Sequence, residues 1–197
     1  MAALRPGPRQ PVPDSVRGVA LLVVFAGLPG SGKSVLARGV AEAIRATYLR
    51  IDTIESAIVS TLMPYRDNPV GYVVAERVAA DQLADGRDVV ADAVNGVAAA
   101  RAGWVALAAR TGAAVQFVEV RCSDAGEHRR RVEAREPEMP GHGVPTWAQV
   151  LRRRYEPWPP ELSGLLVVDN IGDPAGHVGH IVTGLTRQRQ NKTGGSA

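Results

Sequence analysis

Residues 27–34 read Gly-Leu-Pro-Gly-Ser-Gly-Lys-Ser and close an unbroken apolar run, Val19–Gly27. No other feature constrains the fold as tightly. An apolar run without alternation predicts a strand buried on both faces. The loop fits the spacing G-x-x-x-x-G-K-[ST], and a helix is expected to open near Lys33 and run through Ala46. Strand, glycine loop and helix in that order predict a cradle for a triphosphate. Gly27, Gly30 and Gly32 let the backbone bend around an anion, and the helix N-terminus adds partial positive charge. Lys33 would reach the β- and γ-phosphates, and the Ser34 hydroxyl would take one magnesium position. Leu28, Pro29, Ser31 and Val35 complete the residues expected against the nucleotide. The plainer alternative is a glycine turn followed by a surface lysine. Lysine usage argues against it: Lys33 and Lys192 are the only lysines among 23 basic residues.

Behind the loop, apolar runs alternate with helical patterns. TYLRID, RDVVADAV, AAVQFVEVRC and LLVVDN read as four more strands. Helices fit 53–62, 70–85, 97–111, 125–136, 146–155 and 174–186, with Gly86 and Gly112 as C-terminal stops. Strands separated by helices need crossovers, so the expected fold is α/β, a mainly parallel sheet with helices on both faces. Such sheets bind ligands at the carboxyl ends of their strands. Residues 1–17 are rich in Pro and Arg and read as a disordered lead-in. Residues 18–186 are expected to form one domain with a lid around 125–145, and 187–197 a disordered tail.

The net charge of +3 suggests a nucleic-acid partner only until it is divided along the chain. Residues 1–17 hold three arginines against Asp14, and 187–197 hold Arg187, Arg189 and Lys192 against none. What remains is 17 basic and 19 acidic residues, so the body is slightly acidic. A general polynucleotide surface is not supported. No apolar run approaches a membrane span, and no signal peptide opens the chain. A cytoplasmic location is the expectation. A single cysteine, Cys122, allows neither an internal disulfide nor a cysteine metal site. His142, His177 and His180 lack ligand spacing, which argues against zinc. Oligomeric state is not legible.

A phosphate loop serves switches, motors and kinases alike. Guanine specificity usually needs N-K-x-D, and the only Asn-Lys pair, Asn191-Lys192, lacks the aspartate. The length leaves little room for a helical lid domain of the hexameric ATPase kind. A small kinase needs a carboxylate for the acceptor hydroxyl and arginines for the moving phosphoryl group. Asp52 is the candidate base, expected to end the second strand. D-T-I-E at 52–55 also reads as a capping box. Asp92 ends the third strand and suits the outer shell of magnesium, with a turn carboxylate paired to Asn95 as the alternative. Arg131 and Arg135, four apart on a predicted helix, are the candidate lid arginines. Their bland alternative is a solvated helix paired through Glu127 and Glu133. Arg152, Arg153, Arg154, Tyr155 and Trp158 either line the acceptor pocket or pack the last helix before the fifth strand.

With GLPGSGKS, LRIDTIE, VVADAVN, CSDAGEHRRRVEAR and PTWAQVLRRRYEPW in order, the chain resembles the bacterial predicted kinases of the polynucleotide-kinase-like AAA ATPase group. Gluconate kinase and chloramphenicol phosphotransferase are more distantly similar. The resemblance spans about Val19 to Thr186. It implies a five-stranded P-loop kinase sheet ordered 2-3-1-4-5, a base at Asp52, a magnesium-side carboxylate at Asp92 and lid arginines at Arg131 and Arg135. It also implies that Asn170 to Asp173 lie near adenine. One position departs. Polynucleotide 5′-kinases of the group carry an arginine three residues after the base, and here Glu55 stands there. The expected activity is therefore transfer of the γ-phosphate of ATP, with Mg2+, to a hydroxyl of a small molecule such as a metabolite or antibiotic. A nucleoside or polynucleotide 5′-hydroxyl kinase and an ATP-dependent switch or assembly factor are the alternatives.

Overall fold

The computed structural model describes residues 18–62, 69–138, 143–159 and 164–193. The expected lead-in at 1–17 lies outside them, as does His142. Five strands alternate with seven helices among these residues: β1 Leu21–Ala26, α1 Lys33–Ile44, β2 Thr47–Arg50, α2 Ile51–Leu62, α3 Val70–Ala84, β3 Val89–Asp92, α4 Ala98–Thr111, β4 Ala114–Arg121, α5 Ala125–Glu133, α6 Trp147–Arg152, β5 Leu166–Asp169 and α7 Pro174–Thr193. All strand pairings are parallel, and the order is β2-β3-β1-β4-β5. The expected α/β sheet and its 2-3-1-4-5 order are both present.

The continuous apolar run makes sense once its two faces are separated. Leu21, Val23 and Phe25 point into a core roofed by Leu36 and Val40 of α1 and Ile181 and Leu185 of α7. Leu22 and Val24 point the other way, onto Ala75 and Ala79 of α3 and Trp104 and Leu107 of α4. Each such side chain contributes roughly 1.5–3 kcal/mol by leaving water. Burial on both faces fixes β1 at the centre of the sheet. The phosphate loop is thereby carried on the central strand, paired on both sides and buried on both faces.

Several boundaries differ from expectation, and four of the differences bear on the site or on the chain's end. β2 stops at Arg50 and α2 opens at Ile51, so Asp52 lies in the first helical turn and neither ends the strand nor caps the helix. Ile51, almost fully buried against the α3–α4 core, anchors that earlier start. α5 ends at Glu133 with Ala134 as its cap, short of the expected 136. Pro137 disfavours helix at the residue before it. Arg135 therefore leaves the helix and does not share a helical face with Arg131. α6 closes at Arg152 because Arg153 turns extended. α7 continues to Thr193, so 187–193 are helical where a disordered tail was expected. The first helix-breaking residues after that end are Gly194 and Gly195. Arg189 in this extension pairs with Asp88, which also accepts from the Leu21 amide.

Candidate functional site: a braced phosphate loop and the chamber beside it

The loop's backbone is one only glycine adopts easily. Gly27, Gly30 and Gly32 take φ of 149, 82 and 85°. A β-carbon on Gly32 would run into the Asn170 side chain, and one on Gly30 into Val132 and His128. Glycine is thus needed for both conformation and close approach.

Three elements brace the loop. At its root Gly27 donates to the Val94 carbonyl at 3.1 Å, and Asn95 donates to the Phe25 carbonyl at 2.7 Å. Asn95 is fully buried, has φ of 46° and accepts from the Trp104 indole at 3.0 Å. Its amide is committed to β1 and α4, so the expected alternative of an Asp92–Asn95 pair is not what the structure shows. From α5, His128 makes a 2.8 Å bond to the Pro29 carbonyl and meets Trp147 edge-on. From the end of β5, Asn170 donates to the Ser31 carbonyl at 3.0 Å while its own carbonyl accepts from Arg131 at 2.9 Å. Arg131 is held further by Glu127, which Arg130 and Arg131 pull down to about 2 by hydrogen bonds. The expected pairing of this helix's arginines is present: Glu127 pairs with Arg130 and Arg131, and Glu133 with Arg129 at 2.8 Å.

Two adjoining cavities meet at Lys33, which is buried. One, about 190 Å3, is bordered by Gly30, Gly32, Lys33, Ser34 and Val35 of the loop, together with Arg50, Arg131, Arg135 and Glu138. The other, about 170 Å3, is bordered by Pro29, Lys33, Asp52, Glu55, Val94, Arg135 and Arg153, among others. Lys33, Arg135 and Glu138 stand on both. Gly27, Leu28 and Ser31 face a third, wider hollow of about 840 Å3 beneath the loop. A further cavity lined by Arg45, Arg87 and Asp88 opens at the opposite, amino edge of the sheet, away from all these residues.

Asp92 sits at the carboxyl end of β3, opposite Phe25 in register and hence just below the loop. It is 1% exposed. Tyr48 donates to its Oδ2 at 2.7 Å, while Oδ1 has no hydrogen-bond partner. Burial and the Asp92 carboxylate together push the Tyr48 phenol well above its ordinary range. A buried carboxylate oxygen without a partner fits a water in the outer shell of a magnesium ion, which the Ser34 hydroxyl would ligate directly. Among the described residues no cluster of three His, Cys, Asp or Glu side chains could hold a metal by itself. A magnesium ion brought with a triphosphate needs no such cluster.

The basic-aromatic stretch after α6 divides. Arg153 borders the Asp52 chamber. Tyr155 and Trp158 instead stack on Arg101, whose guanidinium carbon is 3.9 Å from the Trp158 ring centroid. Arg101 is 4% exposed and donates to the carbonyls of Asn95, Gly96, Glu156 and Pro157 at 2.8–3.3 Å. It ties the 153–158 strap to the turn that carries Val94 and Asn95. Nothing in the sequence marked Arg101 out from the 20 other arginines. His128 and Asn95 were equally unmarked, although a polar residue following a buried strand was a usable signal for Asn95 and Asn170.

A family model described as an AAA domain matches residues 22–157. The chain belongs to that family. No curated protein sequence matches this AAA-domain chain. Among solved structures it is similar to a gluconokinase from Sinorhizobium meliloti 1021, at 22% identity and TM-score 0.63, over 92% of this chain and 99% of that one. It is similar to the Mycobacterium tuberculosis APS kinase CysC in complex with AMPPNP and APS, at 20% identity and TM-score 0.62, over 86% and 99%. It is also similar to Chaetomium thermophilum Kti12 in complex with ADP-AlF3, at 18% identity and TM-score 0.61, over 82% and 97%. At these identities the likeness is one of fold, the fold of P-loop kinases. No described helix of the AAA-domain protein is long and apolar enough to cross a membrane.

Proposed function

We propose that this protein transfers the γ-phosphate of ATP to a hydroxyl of a small molecule. The observation that carries the reading is the meeting of two cavities at Lys33, one walled by the glycine loop and the other by Asp52. A phosphoryl donor in the first and an acceptor in the second would face each other across a buried lysine. The neighbours solved with AMPPNP and with ADP-AlF3 support a nucleotide in the first.

The chemistry follows from what each side chain offers. Asp52 orients the acceptor hydroxyl and takes its proton as the new oxygen–phosphorus bond forms and the bond to ADP breaks. Lys33, Arg131 and Arg135 offset the charge on the moving phosphoryl group. The loop amides hold the β-phosphate. Ser34 and, through water, Asp92 would hold magnesium, which when bound screens the β- and γ-oxygens. Of the expected lid, 139–142 lie outside the described residues; 125–138 and 143–145 would exclude the water that would otherwise hydrolyse ATP. The chamber of about 170 Å3 suits an acceptor smaller than a drug-sized ligand, whose pockets run roughly 300–1,000 Å3.

Arg153 favours a second reading. It places a cation in the acceptor chamber, beside the position where Glu55 replaces the arginine of polynucleotide kinases. An acceptor carrying its own anionic group, a nucleotide-like alcohol, would use it. One assay separates the two: ADP release with ATP and magnesium across sugars, nucleosides, aminoglycosides, chloramphenicol and a 5′-hydroxyl oligonucleotide, with Lys33→Ala as control. Release that depends on an uncharged acceptor and vanishes in the control supports the first reading. Release only with phosphate-bearing acceptors replaces it with the second. Nucleotide binding without any acceptor-dependent turnover counts against both and in favour of a switch.

A further inference from the structure

Arg50 was not among the candidates, yet it is the least explained cation near the loop. It ends β2, lies opposite Asp92 in register, and its side chain is 11% exposed. One terminal nitrogen donates to Glu138 at 2.7 Å, the other is 3.9 Å from Asp52, and its buried Nε has no partner. It borders the loop cavity with Lys33, Ser34, Arg131 and Arg135 and does not border the Asp52 chamber. Glu138 is the one carboxylate bordering that loop cavity among the described residues. It is also 3.9 Å from Arg135 and is 54% exposed.

We infer that Arg50 is a further contact for the phosphates of the bound nucleotide, and that Glu138 holds Arg50's charge until those phosphates replace it. The inference rests on the ATP reading above and adds to it. Four cations around one small cavity would repel each other without an anion among them. A largely buried guanidinium in particular needs a counter-charge at all times. Glu138 supplies one at low cost to its own release, because a half-exposed ion pair is worth little. A triphosphate brings several charges to the same spot, with oxygens on each phosphorus that a planar arginine fork can grip in pairs. The pairing with Arg50 also holds the Glu138 carboxyl below its usual range, so it stays ionised and competent to compete at neutral pH. Arg50 borders the loop cavity and not the Asp52 chamber, although it comes within 3.9 Å of Asp52 itself, and that placement assigns it to the donor's phosphates.

The test is calorimetric titration of the full chain with AMPPNP and magnesium. Glu138→Gln is expected to tighten binding about threefold, the loss of a weak exposed competitor. Arg50→Gln is expected to weaken it roughly tenfold or more, and Arg50→Lys by less, as a charge without the fork. In the Arg50→Gln background, Glu138→Gln should change nothing. A Glu138→Gln variant that binds no tighter overturns the inference. So does a gain that persists in full without Arg50, since the carboxylate would then act through Arg135 or the general field and not through Arg50. Arg50 is buried enough that its loss could unfold the chain, whereas Glu138 is on the surface, so the Glu138→Gln arm stands alone. If wild type and Lys33→Ala bind AMPPNP equally, it is the ATP reading that has failed, and the inference with it.

Discussion

The two cavities that meet at Lys33 are built on different principles. The loop side is braced by neutral hydrogen bonds: Asn95 to Phe25, Asn170 to Ser31, His128 to Pro29 and Gly27 to Val94. All four bracing groups come from the carboxyl ends of strands or the helix just after β4. The Asp52 side is walled by ionisable side chains of both signs, Asp52, Glu55, Arg135, Glu136 and Arg153, reached through helix starts and loops, whereas the ionisable groups on the loop side are, Glu138 apart, cations. On the function proposed above, a triphosphate would be held by braced backbone together with these cations, and an acceptor by side chains alone.

Asp52→Asn is expected to have the largest effect. If the two sides are separable, acceptor-dependent turnover falls about a hundredfold to ten-thousandfold, the contribution of a positioned general base. AMPPNP affinity should stay within about twofold, as an uncharged isostere leaves the loop alone. Equal losses in turnover and nucleotide affinity would mean Asp52 supports the loop and the division is false.

Asn95→Ala attacks the other side. The amide bonds to Phe25 and Trp104 are both buried, so their loss leaves two polar groups unpaired. The expected cost is about 2–4 kcal/mol, at about 1–3 for each unsatisfied group with some relaxation. Denaturant unfolding measures it, and the midpoint should move with the slope unchanged. A loss under about 0.5 kcal/mol would show that water replaces the amide and that the root of the loop is less rigid than its bonding suggests.

The same contrast decides what the sequence could reveal. Backbone demands leave compositional marks: Gly27, Gly30, Gly32 and the lone core lysine Lys33 announce the loop, and the unalternating run before it announces the central strand. Asp92 at the end of β3 was legible for the same reason, as a carboxylate breaking an apolar run. Side chains that converge from distant segments leave no such mark. Arg50 and Glu138 are 88 residues apart, and His128 meets Pro29 across 99. The arginine-rich composition hid Arg50 and Arg101 among equals. Arg135 lies off the helix face expected for it because its placement depends on where α5 stops, and a helix end shifts with a proline two residues on.

Arg153→Gln sharpens the acceptor side. Removing a partly exposed cation from the chamber should raise KM for an anionic acceptor about fivefold to tenfold, with kcat and ATP KM unchanged. For an uncharged acceptor the change should stay under about twofold. The pattern of KM across acceptors therefore reports which kind of molecule the chamber takes.

The smallest effect concerns the helix that carries His128 and Arg131 against the loop. Glu127, drawn to about 2 by Arg130 and Arg131, has a folded pKa below its ordinary value. A lowered carboxyl stabilises the fold fully above its unfolded pKa, near 4.5, and loses that contribution as pH falls towards 2. Other carboxylates titrate in the same window, so the informative quantity is the difference in melting temperature between wild type and Glu127→Gln. That difference should be present at pH 7, shrink below about 4.5 and vanish near 2. Because the pair is exposed, about 0.1 M salt should shrink it at pH 7 as well. A difference that persists at pH 2 would mean Glu127 acts through packing, and that Arg131 reaches Asn170 without its help.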